Sequence, residues 1–338
     1  MPYSSDRLLS LVQDDHTDEV IDLENRIAGR ALHGTDRAFE ELIRRILGSW
    51  TRAFGGPDQA ALPGGMLRQI LATAQAAVRR LLGDIADHAP GALTDGLGPA
   101  LVMGVRQGTE FVRAASGRRR SEPRVPSVGR LLRAEAHRLR DVVTERRDRA
   151  LFLLHPDRVH RWSQMLAGLG AARAAIPAVR AHIAWVINTA VHEGLDAVVR
   201  ATAPLRLWVS EADACVRCLA YTGRTVAVDE PFPGGLSWDP RQRAGRAPGV
   251  EGPPLHSHCR CRAVPWNDAW TTAGIPFPLA LRHEAHRSIA YGRARPSESR
   301  AARLRAVREL LRTEPDLLPA VEARARRALR TSSFAPAA

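Results

Sequence analysis

The chain has 338 residues, 45% of them hydrophobic, and its 49 basic residues, every one an arginine, stand against 36 acids for a formal net charge of +13. That composition excludes a disordered, collagen-like or disulfide-dense chain, and the length allows two or three compact units. The basic balance favours anionic company, DNA or an acidic protein face, because summed charge sets non-specific association. No uncharged apolar run reaches the roughly 18 to 20 residues that span a bilayer. The start, with the acidic stretch Asp14–Glu19, lacks a secretory leader pattern, so no membrane association is expected.

The first third reads as helices. Phe39, Leu42, Ile43, Ile46, Leu47 and Trp50 make one apolar stripe, and Met66, Ile70, Val78, Leu81 and Leu82 a second. Gly55-Gly56-Pro57 and Pro63-Gly64-Gly65 punctuate them, and a further helix is predicted over 98–115. The turn formers and charge run of 118–126 read as a linker between an N-terminal helical domain (1–117) and a helical core (127–270). In that core Leu131, Leu132, Val142 and Val143 are helically spaced. After Pro177, Val179, Ile183, Val186, Ile187, Ala190, Gly194 and Val198 share one face. Gly194 on that face permits close approach of another helix. Trp185, Asn188 and His192 on the same helix read as packing and hydrogen-bonding residues rather than ligands.

The period then changes to two in Leu205-Arg206-Leu207-Trp208-Val209, which predicts a strand, with further short strands over 224–228 and 260–264. Residues 231–254 are rich in proline and glycine and predict a long excursion pinned at its ends. Helices return over 279–290 and from Ser297, placed as an N-cap after Pro296. A last helix carries Val321, Ala325, Ala328 and Leu329 among Arg324, Arg326, Arg327 and Arg330, so 271–338 reads as a basic helical arm.

All four cysteines fall in one constellation: Cys215-Val216-Arg217-Cys218, then, after 37 residues, His256-Ser257-His258-Cys259-Arg260-Cys261. A Cys-x2-Cys turn offers two thiolates to one ion and a second clustered pair completes a tetrahedron, the logic of a structural zinc site. Candidate ligands are Cys215, Cys218, His256, Cys259 and Cys261. An all-cysteine set and a set with His256 replacing Cys259 or Cys261 both fit, whereas His258, adjacent to Cys259, fits least. Catalytic patterns fall short. His192-Glu193 lacks the spacing of a deaminase site, and His283-Glu284-Ala285-His286 is one residue short of a metalloprotease helix. After His256, Asn267 and Asp268 complete no His-Asn-His nuclease set. No enzyme activity and no small-molecule substrate are expected.

These residues resemble the phage Mu F-like head morphogenesis proteins, also called minor capsid or minor head proteins. The resemblance rests on Asp213 just before Cys215-Val216-Arg217-Cys218, on Gly223, and on Pro253-Pro254-Leu255-His256-Ser257-His258-Cys259-Arg260-Cys261 followed by Pro265. Ser257 stands where the family usually has proline. The specific likeness covers roughly 178–270, with a weaker one over 278–311. It implies a few-copy virion protein of a phage or prophage, made in the host cytoplasm and placed at the portal vertex or capsid interior. Portal and capsid or scaffold proteins are then the partners in capsid assembly and DNA packaging, and the arginine-rich arm would meet packaged DNA through phosphates alone. The rival reading is a zinc-finger nucleic-acid-binding regulator, against which no helix with base-reading spacing opens directly after the ligands. The expected fold is mostly α, a multi-helix body with a small zinc-pinned β-knuckle inserted between helical segments.

Overall fold

The computed structural model describes residues 2–62, 64–295 and 297–334. The fold is mostly α with one three-stranded antiparallel sheet. Eleven α-helices are described: α1 Ser5–Ser10, α2 His16–Ala31, α3 Thr35–Phe54, α4 Gly65–Ser116, α5 Arg130–Leu153, α6 Trp162–Arg173, α7 Ala175–Thr202, α8 Val216–Leu219, α9 Phe277–Tyr291, α10 Arg300–Thr313 and α11 Pro319–Thr331. The strands are β1 Leu205–Val209, β2 Thr225–Ala227 and β3 Arg262–Trp266, in the order β2-β1-β3.

The compact units cut the chain differently from the divisions at 117, 126 and 270. One unit comprises Met1–Ile21, Pro99–Ser127 and Asn188–Ala338, and the other Asp22–Gly98 and Val128–Ile187. The linker stretch belongs to the first unit, although it has no regular secondary structure. In the second unit the α3 stripe turns inward through Phe39, Leu42, Ile46 and Trp50, while Trp50 packs against Phe54 and Trp162 at 4.9 and 5.9 Å.

Two sequence expectations give way here. The helices predicted separately over the second stripe and over 98–115 are one 52-residue helix, α4, which runs through Pro90 and Pro99. A proline in a helix removes one backbone donor and frees the carbonyl four residues earlier. The carbonyl freed by Pro90, that of Ala86, accepts from Arg140 Nε at 3.4 Å, so a neighbouring helix supplies the donor the proline removes. The N-cap of α10 is Ser299, whose hydroxyl accepts from the Ala302 amide at 3.2 Å, and not Ser297. Pro296 lies outside the described residues.

An 18-residue window within Trp162–Thr202 has a mean hydropathy of 1.2, enough by length and composition to cross a membrane, and 56% of it is buried in the protein. The apolar face of α7 supplies much of that burial: Val179, Ile183, Val186, Ile187, Ala190 and Val198 are all at most 1% exposed. Gly194 meets Gly104 of α4. A Cβ on Gly104 would stand 2.0 Å from the Val191 carbonyl oxygen, and one on Gly194 2.3 Å from that of Leu101. The close approach expected of Gly194 is therefore made, backbone against backbone.

The sheet divides the core of the first unit. Because side chains alternate along a strand, Leu207 and Val209 of β1 with Val264 and Trp266 of β3 face Leu8, Phe111, Phe277 and Leu281. Trp208 and Ala263 face the other way, toward Tyr221, Phe232, the cysteines and the buried residues of α9, α10 and α11. The C-terminal helices, read from sequence as a basic helical arm over 271–338, thus pack as a cover on the knuckle.

Candidate metal centre

The first ligand turn follows β1. Cys215 is the N-cap residue of the four-residue helix α8, and Trp208, stacked on Tyr221 with ring centroids 4.6 Å apart, holds this segment against the sheet. The second turn precedes β3. The Cys259 amide donates to the His256 carbonyl at 3.1 Å, closing a tight turn whose third residue, His258, has φ 62°.

The two turns bring together all five candidate ligands. Cys215, Cys218 and His256 form one group and Cys218, Cys259 and Cys261 a second, the ligand atoms of each lying within 4.8 Å of one another. Cys218 belongs to both. Cys215 Sγ is 3.4 Å and Cys218 Sγ 3.5 Å from His256 Nε2, and Cys218 Sγ is 3.7 Å from Cys259 Sγ. A tetrahedral zinc with bonds of ~2.3 Å to sulfur and ~2.0 Å to nitrogen needs edges of about 3.8 Å between sulfurs and about 3.6 Å between sulfur and nitrogen. The three separations match those edges. His256 Nδ1 donates to the Ser257 carbonyl at 2.7 Å, which leaves Nε2 toward the sulfurs. This is the arrangement that orients a ligating imidazole. His258 is exposed and in neither group.

Without an ion, the cluster shares its protons. Cys215 is lowered to about 4, first because the Cys218 thiol donates to it and then through His256, and His256 is raised to about 9 by Cys215. Cys259 is held well below a normal thiol by donation from Cys218 and Cys261, whose own pKa values lie well above it. Thiols and an imidazole that share protons this closely are a donor set that loses them to a soft divalent cation.

Several supporting residues carry no signal in the sequence. Glu211, 7% exposed, accepts from the Arg260 amide at 3.2 Å, between the last two cysteines, and pairs with Arg295. Burial raises Glu211 to about 7 against the pull of Arg295 and Arg260. Arg303, 1% exposed, donates to the Ala214 carbonyl at 2.9 Å and pairs with Glu298 at 2.7 Å. The last chain segment therefore grips both ligand turns. Asp213, singled out by the resemblance, is half-exposed and 3.7 Å from Arg295 Nε. His192 Nε2 lies 2.6 Å from the Cys261 carbonyl and must donate to it. That is the hydrogen-bonding role read from sequence, and burial with the nearby Arg262 lowers its pKa to about 4.

The excursion has its own fastenings. Arg206 of β1 donates to the Glu251 carbonyl at 2.6 Å and to that of Glu230, while Phe232 and Val250 exchange two backbone bonds of 2.8 Å. Further out, Arg305 of α10 holds the fully buried Asp239 with two bonds of 2.8 and 2.7 Å, and Arg243 reaches Glu309 at 2.7 Å. The near-miss residues stay apart from the cluster. His286 packs edge-on to Trp238, Glu284 pairs with Arg287 and Arg293, Asn267 accepts from the Ala269 amide, and Asp268 accepts from the Trp266 indole.

The chemistry available is a cluster of soft donors that can hold a metal ion. No family model, no curated protein and no solved structure matches the chain.

Proposed function

We propose that the cluster is a structural zinc centre, and that the chain is a phage minor head protein of the Mu F-like kind, docked at the portal or inner capsid surface and not an enzyme. The observation that carries the metal reading is the meeting of five donors from two turns around Cys218, with edges of tetrahedral length. Soft thiolates with imidazole select zinc over harder cations. Cys215, Cys218 and His256 supply three ligands and Cys259 the fourth, with Cys261 as a buried neighbour anchored through His192.

The virion reading rests on the motif residues quoted above. What supports a structural role is the division of labour around the excursion, where the ion fixes 255–261 to the knuckle and ion pairs to α10 fix the middle. Ligation supplies on the order of 10 kcal/mol in small zinc-dependent units. The regulator reading has weaker support: α8 is four residues long, and Arg295, Arg303 and Arg305 are spent on acids of the chain itself.

Mass spectrometry of gradient-purified particles from an induced producing strain tests the proposal. Peptides of this chain at a few copies per portal ring support it. A chain left in the soluble fraction while particles form normally overturns it, and sequence-selective DNA binding would then favour the regulator.

A further inference from the structure

The turn that trails the metal knuckle is pressed onto α9. Gly223 has φ 75°, and a Cβ there would stand 2.4 Å from the Pro278 carbonyl oxygen and 2.8 Å from Arg282 Cγ. This contact, open only to glycine, brings Arg224 of the turn beside Arg282 of the helix. Both line a cleft of about 230 Å³ together with Trp238 of the excursion, His286 of α9 and Glu314 at the end of α10. Leu219 and Ala285 give it an apolar floor.

Thr222 of the cleft is committed to Ser210 at 2.7 Å, but the guanidinium groups are not ion-paired. Neither Arg224 nor Arg282 has an acidic partner among the described residues, in contrast to Arg303, Arg305 and Arg312 of α10. Among the described residues the one hydrogen bond of the Arg224 side chain runs from Nε to the Ala220 carbonyl at 3.0 Å, which fixes its stem. The His286 imidazole makes no hydrogen bond among the described residues; its ring stands perpendicular to Trp238, centroids 5.6 Å apart. Burial keeps it neutral, with a pKa of about 4. Arg224 and Arg282, both exposed, stand against the single carboxylate of Glu314, so the cleft is net positive and favours an anion. At ~30 Å³ per water the volume equals roughly eight waters, room for about a dozen heavy atoms.

We propose that this cleft binds a small organic oxyanion, a phosphate or carboxylate head on a ring-sized apolar body. The head sits between Arg224 and Arg282 and the body lies against Trp238 and His286. A small-molecule ligand was not expected from the sequence, and the site does not depend on the identity of the metal or on the virion reading. Guanidinium forks suit both heads.

The test is calorimetric titration of the full, metal-loaded chain with phenyl phosphate and with benzoate, using benzyl alcohol as the neutral control. One molecule per chain of at least one anion binds, the alcohol does not, and whichever anion saturates names the head. Arg224→Gln and Arg282→Gln each weaken binding roughly tenfold or more, with melting temperature and metal content unchanged. Arg308→Gln, an exposed arginine of α10 away from the cleft, leaves it as it was. Absence of saturable binding for both anions overturns the proposal. So does binding that the two cleft variants leave intact, or that Arg308→Gln weakens equally.

Discussion

His256 and His258 are two residues apart and chemically identical, yet backbone conformation gives them opposite roles. The turn closed by the Cys259 amide carries His256 inward, where its Nδ1 is engaged and its Nε2 faces two sulfurs, and swings His258 outward at φ 62°. Cys218→Ser is expected to abolish stoichiometric metal, His256→Ala to weaken it, and His258→Ala to leave it unchanged, as measured by elemental mass spectrometry of the purified chain. The spacing of the cysteines was legible in the sequence because a ligand turn is local: Cys-x2-Cys needs nothing from the rest of the chain. The ranking of His258 last followed from the same local geometry. Glu211, Arg295 and Arg303 were not legible, because a charged side chain buried by a partner some 80 residues away reads in sequence like any solvated one.

At the scale of elements, the strand Leu205–Val209 and the α7 face were readable from their periods, whereas the continuity of α4 was hidden by prolines that usually end helices. What sequence shows only as a glycine, the crossing of α4 and α7 makes a requirement. Gly104→Ala places a methyl 2.0 Å from the Val191 carbonyl oxygen, where no flexible side chain can yield. Such overpacking is expected to cost about 1 to 3 kcal/mol, seen as a lower denaturation midpoint with an unchanged slope. The grip of the C-terminal segment on the knuckle is testable in the same way. Arg303→Leu removes the donor to Ala214 and strands the buried Glu298, for an expected loss of about 3 to 5 kcal/mol. The double variant Arg303→Leu/Glu298→Leu, which strands no charge, should recover much of it. Hydrogen exchange then shows whether 211–219 loosens with the single variant.

For the whole molecule, a buried histidine and a half-buried one, both held neutral, contribute to stability on the acid side. His16, enclosed at the junction of the first helices, is lowered to about 3 by burial and by Arg262 and Arg106, and His286 to about 4 by burial. In the unfolded chain both take up a proton near pH 6.5, so their contribution is fully present above that pH and is lost as pH falls toward 4. Each steepens the decline by roughly 1.4 kcal/mol per pH unit. Chemical denaturation of His286→Gln between pH 4 and 6.5 is therefore expected to show a slope shallower than the parent by about that amount; an identical slope would show that His286 is charged in the fold.

The unit that holds the ligand cluster is assembled from three separate stretches of chain, and its cover, α9 to α11, follows the second ligand turn in the sequence. At about 5 to 20 residues per second, the ribosome needs several seconds to pass from the second ligand turn to the end of α11. Until those helices pack, the four thiols and the imidazole lack their cover. In the zinc centre proposed above, the ion captured would be the one most available and most tightly held at that stage, with the closing helices fixing the choice. Cells grown with cadmium or cobalt in place of zinc should accordingly yield protein loaded with the substitute, and that protein should exchange it only as slowly as the helical cover opens.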